Sequence, residues 1–144
     1  METVRQVCTF RLGGQLFGLD VLNVQEVMRS QAITPVPLAH PVVRGLINLR
    51  GEVVTALDLG RRLGISEAKG VSMNVVVRYS QGVGSLLVDE VGDVLDIDQE
   101  TCEEPPSTLE ASMRELITKV VKLKEGLLLV LDLEKAMRLE SKAA

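Results

Sequence analysis

The segment VRGLINLRGEVVTALDL, residues 43–59, contains the most informative fold signal in the sequence. Two apolar-rich runs, 46–49 and 52–57, flank the dipeptide Arg50-Gly51. A short turn between two such runs is typical of a β-hairpin. The next residues, Asp58-Leu59, suit the start of a helix, because an aspartate can accept hydrogen bonds from the free N–H groups of a first turn. This segment therefore predicts strand, turn, strand and short helix, with Arg50 at the tip of the turn.

A weaker copy of this pattern occurs further along the chain. Residues 49–59 align with residues 123–133 at a constant offset of 74, and both copies end in Asp-Leu. The valines at 21, 24 and 27 match those at 88, 91 and 94 at an offset of 67. Each copy has about 70 residues, too few to bury much apolar surface alone. The repeat therefore predicts two small barrels, at approximately 15–65 and 70–130, that share an apolar seam.

Strand signals dominate the remaining sequence. Apolar residues alternate with polar ones from Cys8 to Leu12, Gly13-Gly14 offers a hairpin turn, and residues 15–19 can form the returning strand. Residues 34–41 contain three prolines and predict a stiff loop rather than a helix or a central strand. Further strands are expected at 73–79, 85–88 and 127–131.

Helix signals are fewer. Asp20 is a candidate N-cap, and apolar residues at helical spacing up to Met28 predict a short helix after it. Ser107 and Glu110 have the spacing of a capping box, which predicts a helical turn there. Asp132 is expected to cap a terminal helix. Residues 116–123 are compatible with either a helix or a strand.

Composition excludes several classes of function. Hydrophobic residues make up 46% and aromatic residues only 2% of the 144 residues, so the core must be aliphatic. Binding of single-stranded nucleic acid needs several exposed rings, and the net charge of −4 provides no basic field for phosphates. The longest apolar run, 127–131, is far shorter than the roughly 20 residues that span a bilayer. We therefore expect neither nucleic-acid binding nor membrane insertion.

The sequence contains no recognisable catalytic or metal site. Two cysteines without CxxC spacing and one histidine argue against zinc and favour a reducing, cytoplasmic environment. His40 lies in the proline-rich loop and is interpreted as a loop-packing residue, while Asp96 and Asp98 belong to a charged run without an evident pocket. The eight acids within 89–104 are either a solvated edge or a surface that repels wrong partners. A binding module without a cofactor is favoured over a small enzyme.

Three segments together resemble the CheW-type chemotaxis adaptors: VRGLINLRG (43–51) with the following VVTALDL, FGLDVLNVQEV (17–27) and LLVDEVGDVL (86–95). The resemblance extends over nearly the whole chain, about residues 6–140. It implies a single CheW-like domain over 1–144, all-β with short helices, built from two five-stranded SH3-like β-barrels around a shared apolar core. It also implies that residues 116–123 form a strand and that a short helix ends the fold.

The resemblance further implies a function. Such adaptors couple the cytoplasmic tip of methyl-accepting chemoreceptors to the regulatory domain of the histidine kinase CheA, without catalysis. They work in the cytoplasm and are recruited to membrane-associated receptor arrays. A coupling protein of a parallel chemosensory pathway, governing pili or development, is the alternative.

Candidate site residues follow from the matching motif positions. The resemblance implies receptor binding in a groove between the barrels, by Val24, Glu26, Gly45, Asn48, Arg50 and Val75. It implies that the edge strand beginning at Val53 meets the kinase. Val24 has a second interpretation, as a core residue. Glu52 and Thr55 depart from the apolar or proline residues of many relatives.

Overall fold

A computed structural model describes residues 4–29, 31–65 and 73–139. These residues form ten strands and three short helices: β1 (Val4–Leu12), β2 (Gln15–Asp20), β3 (Val24–Arg29), β4 (Val43–Leu49), β5 (Glu52–Asp58), α1 (Leu59–Arg62), β6 (Met73–Tyr79), β7 (Gly82–Val88), β8 (Glu90–Asp98), α2 (Ala111–Arg114), β9 (Ile117–Leu123), β10 (Gly126–Leu131) and α3 (Leu133–Met137). Two 3₁₀ turns, Val21–Asn23 and Gln99–Thr101, follow β2 and β8.

The strands form two five-stranded sheets with matching topology. The order is β8-β1-β2-β10-β9 in the first sheet and β3-β6-β7-β5-β4 in the second. In both sheets a hairpin (β1–β2 or β6–β7) pairs in parallel with the last strand of another hairpin (β9–β10 or β4–β5). The all-β fold with two five-stranded, SH3-like units is therefore confirmed, and so is the strand at 116–123.

The expected division into consecutive barrels at 15–65 and 70–130 is wrong. The chain leaves the first sheet after β2 and enters the second at β3, and it returns to the first sheet between β7 and β8. Each sheet therefore combines strands from both halves of the chain. Local strand signals could not show this exchange, because they identify strands and not the sheets that the strands join.

An aliphatic core joins the two sheets. The largest cluster of buried residues contains side chains from both sheets and from both Asp-Leu helices, such as Leu57, Leu59, Leu129 and Leu133. The rings of Phe10 and Phe17, on paired strands of the first sheet, stack within this cluster with their centroids 5.8 Å apart. Burial of apolar surface contributes roughly 25 cal/mol per Å² to the free energy of folding. Packing in this shared cluster therefore holds the two sheets together.

The expected helix caps form in both copies of the repeat. Asp58 Oδ1 accepts from the Arg61 N–H at 3.0 Å in α1, and Asp132 Oδ1 accepts from the Lys135 N–H at 3.1 Å in α3. The Arg62 side chain then links the two helices by donating to three carbonyls at the end of α3, those of Lys135, Ala136 and Arg138.

Two helix predictions need correction. Asp20 caps only a three-residue 3₁₀ turn through the Leu22 N–H, and residues 24–29 form strand β3 instead of a helix. The valines in this segment favour a strand, and β6 supplies the pairing partner. Near Ser107 no capping box forms: α2 begins at Ala111, and its N-cap Glu110 makes no side-chain capping bond.

Candidate binding surfaces

The β4–β5 turn holds Arg50 in a defined position. Arg50 and Gly51 have φ values of 53° and 86°, both in the left-handed region, as a two-residue hairpin turn of type I′ requires. The exposed Asn48 side chain accepts a hydrogen bond from the Gly51 N–H at 2.9 Å. Asn48 therefore stabilises a turn that a non-glycine residue adopts only at a cost in free energy.

The guanidinium of Arg50 is bound to the Glu26 carboxylate. Nη1 lies 2.5 Å from Oε2 and Nη2 lies 3.0 Å from Oε1, a bidentate arrangement. This hydrogen-bonded pair raises the pKa of the Arg50 guanidinium. The Arg50 side chain is still 73% exposed, against 22% for Glu26. Because β3 and β4 stand at opposite ends of the strand order, the ion pair connects two strands that share no ladder.

Gly45 is buried and serves the fold itself. It has a φ of 148°, and a Cβ built on it would lie 2.3 Å from the carbonyl oxygen of Thr34. Thr34 and Leu46 exchange two backbone hydrogen bonds of 2.8 Å beside it. The backbone of Thr34 already occupies the space beside Gly45. Gly45 therefore leaves no free surface for the partner that was expected to approach it.

The two valines assigned to the receptor groove differ in burial. Val75 on β6 has no exposed surface and lies in the shared core, so direct contact with a partner is excluded in this conformation. Val24 is half-buried and packs against the same core, which supports its alternative interpretation as a core residue. Of the six predicted receptor residues, the structure brings Glu26, Asn48 and Arg50 together at the surface.

Exposed valines on two edge strands were missed at the sequence level. Val27 on β3 is 38% exposed and Val94 on β8 is 49% exposed. β3 and β8 are the equivalent edge strands of the two sheets, and each also carries a valine packed on the shared core, Val24 or Val91. The repeat of valines at an offset of 67 contained this signal.

Val53 is the exposed apolar residue of the β4–β5 hairpin, with 63% of its surface accessible. The expectation that it starts an edge strand is wrong, because β5 lies between β7 and β4. Pairing with β7 begins only at Thr55, however, so residues 52–54 at the start of β5 pair with β4 alone.

The histidine and the two cysteines do not form a catalytic or metal-binding cluster in the described residues. His40 Nδ1 accepts from the Val42 N–H at 3.1 Å. Cys8 and Cys102 are free thiols, and burial raises the pKa of both. Within 4–29, 31–65 and 73–139, no cluster of three or more His, Cys, Asp or Glu side chains is suited to hold a metal ion. In the same ranges no helix has the length and hydropathy to span a membrane.

Comparison with known proteins gives a consistent result. The chain is 32% identical over 148 residues to the chemotaxis protein CheW of Klebsiella aerogenes, covering 99% of this chain and 87% of that protein. It is 30% identical over 136 residues to CheW of Treponema pallidum, covering 90% and 80%. Protein PilI of Pseudomonas aeruginosa is 30% identical over 110 residues, covering 75% of this chain and 62% of PilI.

The fold comparison agrees. The crystal structure of the scaffolding protein TtCheW from Thermoanaerobacter tengcongensis superposes with a TM-score of 0.86 at 26% identity, covering 99% of this chain and 93% of that one. A family model, the CheW-like domain, matches residues 6–141. The chain therefore belongs to the CheW-like domain family.

Proposed function

We propose that this protein is a non-catalytic adaptor that couples methyl-accepting chemoreceptors to a histidine kinase of the CheA type. Family membership supports the general role in chemotaxis. The observation that carries the proposal is the fixed Arg50 at the tip of β4–β5, held by Asn48 and Glu26 while most of its side chain faces solvent. A preorganised, exposed guanidinium suits directional recognition of carbonyls or carboxylates on a partner.

The receptor surface is proposed at the Glu26–Arg50 pair beside the β4–β5 turn. A receptor tip is a helical hairpin, and an amphipathic helix binds through an apolar stripe flanked by polar contacts. Arg50 would donate hydrogen bonds to polar groups beside this stripe. Val24 and Val75 would act indirectly, because their packing in the shared core positions the paired strands β3 and β6. Gly45 would act indirectly through its close contact with Thr34.

The kinase surface is proposed at Val53. An exposed valine on the part of β5 that pairs with β4 but not with β7 offers apolar area to a partner. The kinase's regulatory domain is the partner that the family resemblance implies for this region. The adaptor would work in the cytoplasm and join membrane-associated arrays through its receptors. A role in a parallel pathway rests on the similarity to PilI, which covers a smaller share of both chains.

Size-exclusion co-elution tests the proposal. The protein is mixed with the full-length kinase, and a receptor cytoplasmic fragment is then added. We expect a binary peak that shifts to a ternary peak. Failure to co-elute with any kinase or receptor from the same cell would contradict the adaptor function and leave only the fold.

A further inference from the structure

A cavity of about 320 Å³ opens where helices α1 and α3 meet the loop before β4. Three basic side chains line it, those of Arg62, Lys135 and Arg138, together with the single histidine of the chain, His40. Among the described residues, Glu115 is the only acid in the lining. The cavity therefore concentrates positive charge in a protein whose net charge is −4.

The guanidinium of Arg62 is held in place by the end of α3. Its Nε donates to the Ala136 carbonyl at 3.2 Å. Its Nη2 donates to the carbonyls of Lys135 and Arg138 at 3.0 and 3.1 Å. Within the described residues these bonds leave the N–H groups of Nη1 free to donate to a ligand. Because the guanidinium is already fixed, an anion that binds it need not order a flexible side chain.

The other two basic side chains are exposed and lack a carboxylate partner in the part of the chain that the structure describes. Lys135 and Arg138 form no ion pair there. Glu134 belongs to the same helix, but its carboxylate accepts two hydrogen bonds from Ser80. Those bonds are the main cause of its lowered pKa, and Arg138 contributes least. The positive potential of a concave site with such a lining attracts anions.

His40 adds a further hydrogen-bond donor to the lining. Its Nδ1 accepts from the Val42 N–H at 3.1 Å, so the proton of the neutral ring is on Nε2. The lining thus combines three cationic groups and an imidazole donor with two apolar side chains, Leu116 and Leu139.

We propose that this cavity binds the phosphate group of a small ligand. A phosphate group carries nearly two negative charges near neutral pH and has acceptor oxygens that point in different directions, which suits several donors placed around one cavity. A carboxylate has one charge and two oxygens in a plane, so it would leave part of the lining without a partner. The volume lies near the lower end of the range of roughly 300–1,000 Å³ for small-molecule pockets.

The site is remote from the surfaces proposed for the receptor and the kinase. Helix α1 follows directly on β5, which begins at the β4–β5 turn, so the length of β5 separates the cavity from that turn by roughly 20 Å. Bound phosphate would therefore leave Arg50 accessible. The inference does not depend on the proposed function.

Titration calorimetry of the full chain with sodium diphosphate at constant ionic strength tests the site. Lys135→Gln and Arg138→Gln each remove a charge but keep the main-chain carbonyls that hold Arg62. We expect saturable binding that each of these substitutions weakens about tenfold, as the loss of a charge-assisted hydrogen bond predicts. Glu115→Gln removes the acid from the lining and should strengthen binding about threefold.

Lys124→Gln and Glu125→Gln are the matched controls, because they make the same charge changes at the β9–β10 tip. The length of β10 separates this tip from α3 by roughly 20 Å. Both controls should bind diphosphate within about twofold of the unmodified protein. The substituted side chains are exposed, so every variant should keep a thermal midpoint close to that of the unmodified protein without ligand.

Inorganic phosphate and glycerol 2-phosphate identify the source of the phosphate group. Tighter binding of the glycerol ester would support an organic phosphate that also contacts Leu116 and Leu139, and equal affinities would support the free anion. Equal effects of the cavity and tip substitutions would reduce binding to net charge and overturn the site. An absence of saturable binding up to about 10 mM, or tighter binding of a hexaglutamate peptide than of diphosphate, would overturn it as well.

Discussion

The β4–β5 and β9–β10 hairpins have the same place in the two sheets but different tips. Each pairs in parallel with a neighbouring hairpin and continues into a helix capped by an aspartate. At the first tip, Arg50 is bound to Glu26 across the sheet. The equivalents by the repeat offsets are Lys124 and Asp93, and these form no ion pair in the part of the chain that the structure describes.

The two hairpins therefore share their fold but not the side chains that could bind a partner. Strand order and helix caps are common to both hairpins, so they follow from what both sequences share. The fixed guanidinium requires Asn48, Gly51 and Glu26 together, and the second copy has Lys122, Glu125 and Asp93 at those positions. We therefore place recognition in the second sheet and expect the two hairpins to respond differently to matched changes.

Gly45→Ala should have the largest effect on stability, because the β4–β5 hairpin has no room for a side chain at this position. Its equivalent is Lys119, where a side chain is accepted. The new Cβ would meet the Thr34 carbonyl at 2.3 Å and force the loop away from β4. We expect the free energy of unfolding to fall by about 3 kcal/mol, measured by chemical denaturation.

Gly51→Ala is the matched control for this prediction. Gly51 also has a positive φ, but its Cβ would meet nothing within 4 Å. We expect a loss of about 1 kcal/mol from backbone strain alone. Equal losses for the two variants would show that the contact with Thr34 does not constrain Gly45.

Val53→Asp and Leu127→Asp compare the two hairpins as kinase surfaces. Both residues are the second of their strand and are exposed, by 63% and 37%. If the kinase binds the β4–β5 hairpin, Val53→Asp should weaken its binding about tenfold, since a buried charge without a partner opposes association. Leu127→Asp should change the affinity by less than about threefold, measured by isothermal titration calorimetry. A larger effect at Leu127 would place the kinase on the first sheet.

The smallest expected effect concerns α3 and its contact with the β6–β7 turn. Glu134 accepts from Ser80 Oγ at 2.5 Å and from the Ser80 N–H at 2.9 Å, and these bonds hold the pKa of its carboxyl below the ordinary value of 4.5. A lowered pKa in the folded state stabilises the protein above the unfolded pKa, and this contribution is lost as the pH falls through the folded value. The equivalent residue in α1 is Gly60, so α1 has no such contact.

Glu134→Gln tests this contact by thermal unfolding as a function of pH. The variant should be slightly less stable than the unmodified protein near neutral pH. The difference should shrink as the pH falls below about 4. A difference that is the same at all pH values would show that the carboxylate charge does not contribute.

Much of the fold could be predicted because its signals are local. Alternation in β1, the turn at Gly13-Gly14 and the caps Asp58 and Asp132 each depend on neighbouring residues. The valines after Asp20 are compatible with both a helix and a strand. They form a strand because β6 provides a pairing partner. The exchange of strands between sheets depends on which buried faces meet, and no local pattern contains that information.

The candidate site was predictable only in part for the same reason. Arg50 could be placed at a turn from its neighbours, but Glu26 lies 24 residues away and their contact requires the closed second sheet. Val75 was assigned to a groove by the family resemblance, as a residue of the first strand of the second expected barrel, whereas the shared core covers that face of its strand. Gly45 was expected to permit a close backbone contact. That the contact is made by Thr34 of the same chain is visible only in the tertiary structure.

Recognition at the β4–β5 tip is tested by the affinity of a receptor cytoplasmic fragment for Arg50→Glu and for its matched control, Lys124→Glu. Arg50 makes its side-chain bonds to Glu26 at the surface, so both variants should keep thermal midpoints close to that of the unmodified protein. We predict that Arg50→Glu weakens receptor binding at least about tenfold while Lys124→Glu leaves it unchanged. Equal affinities of the two variants for the receptor, or a large loss of stability in Arg50→Glu, would contradict the assignment of recognition to the β4–β5 tip.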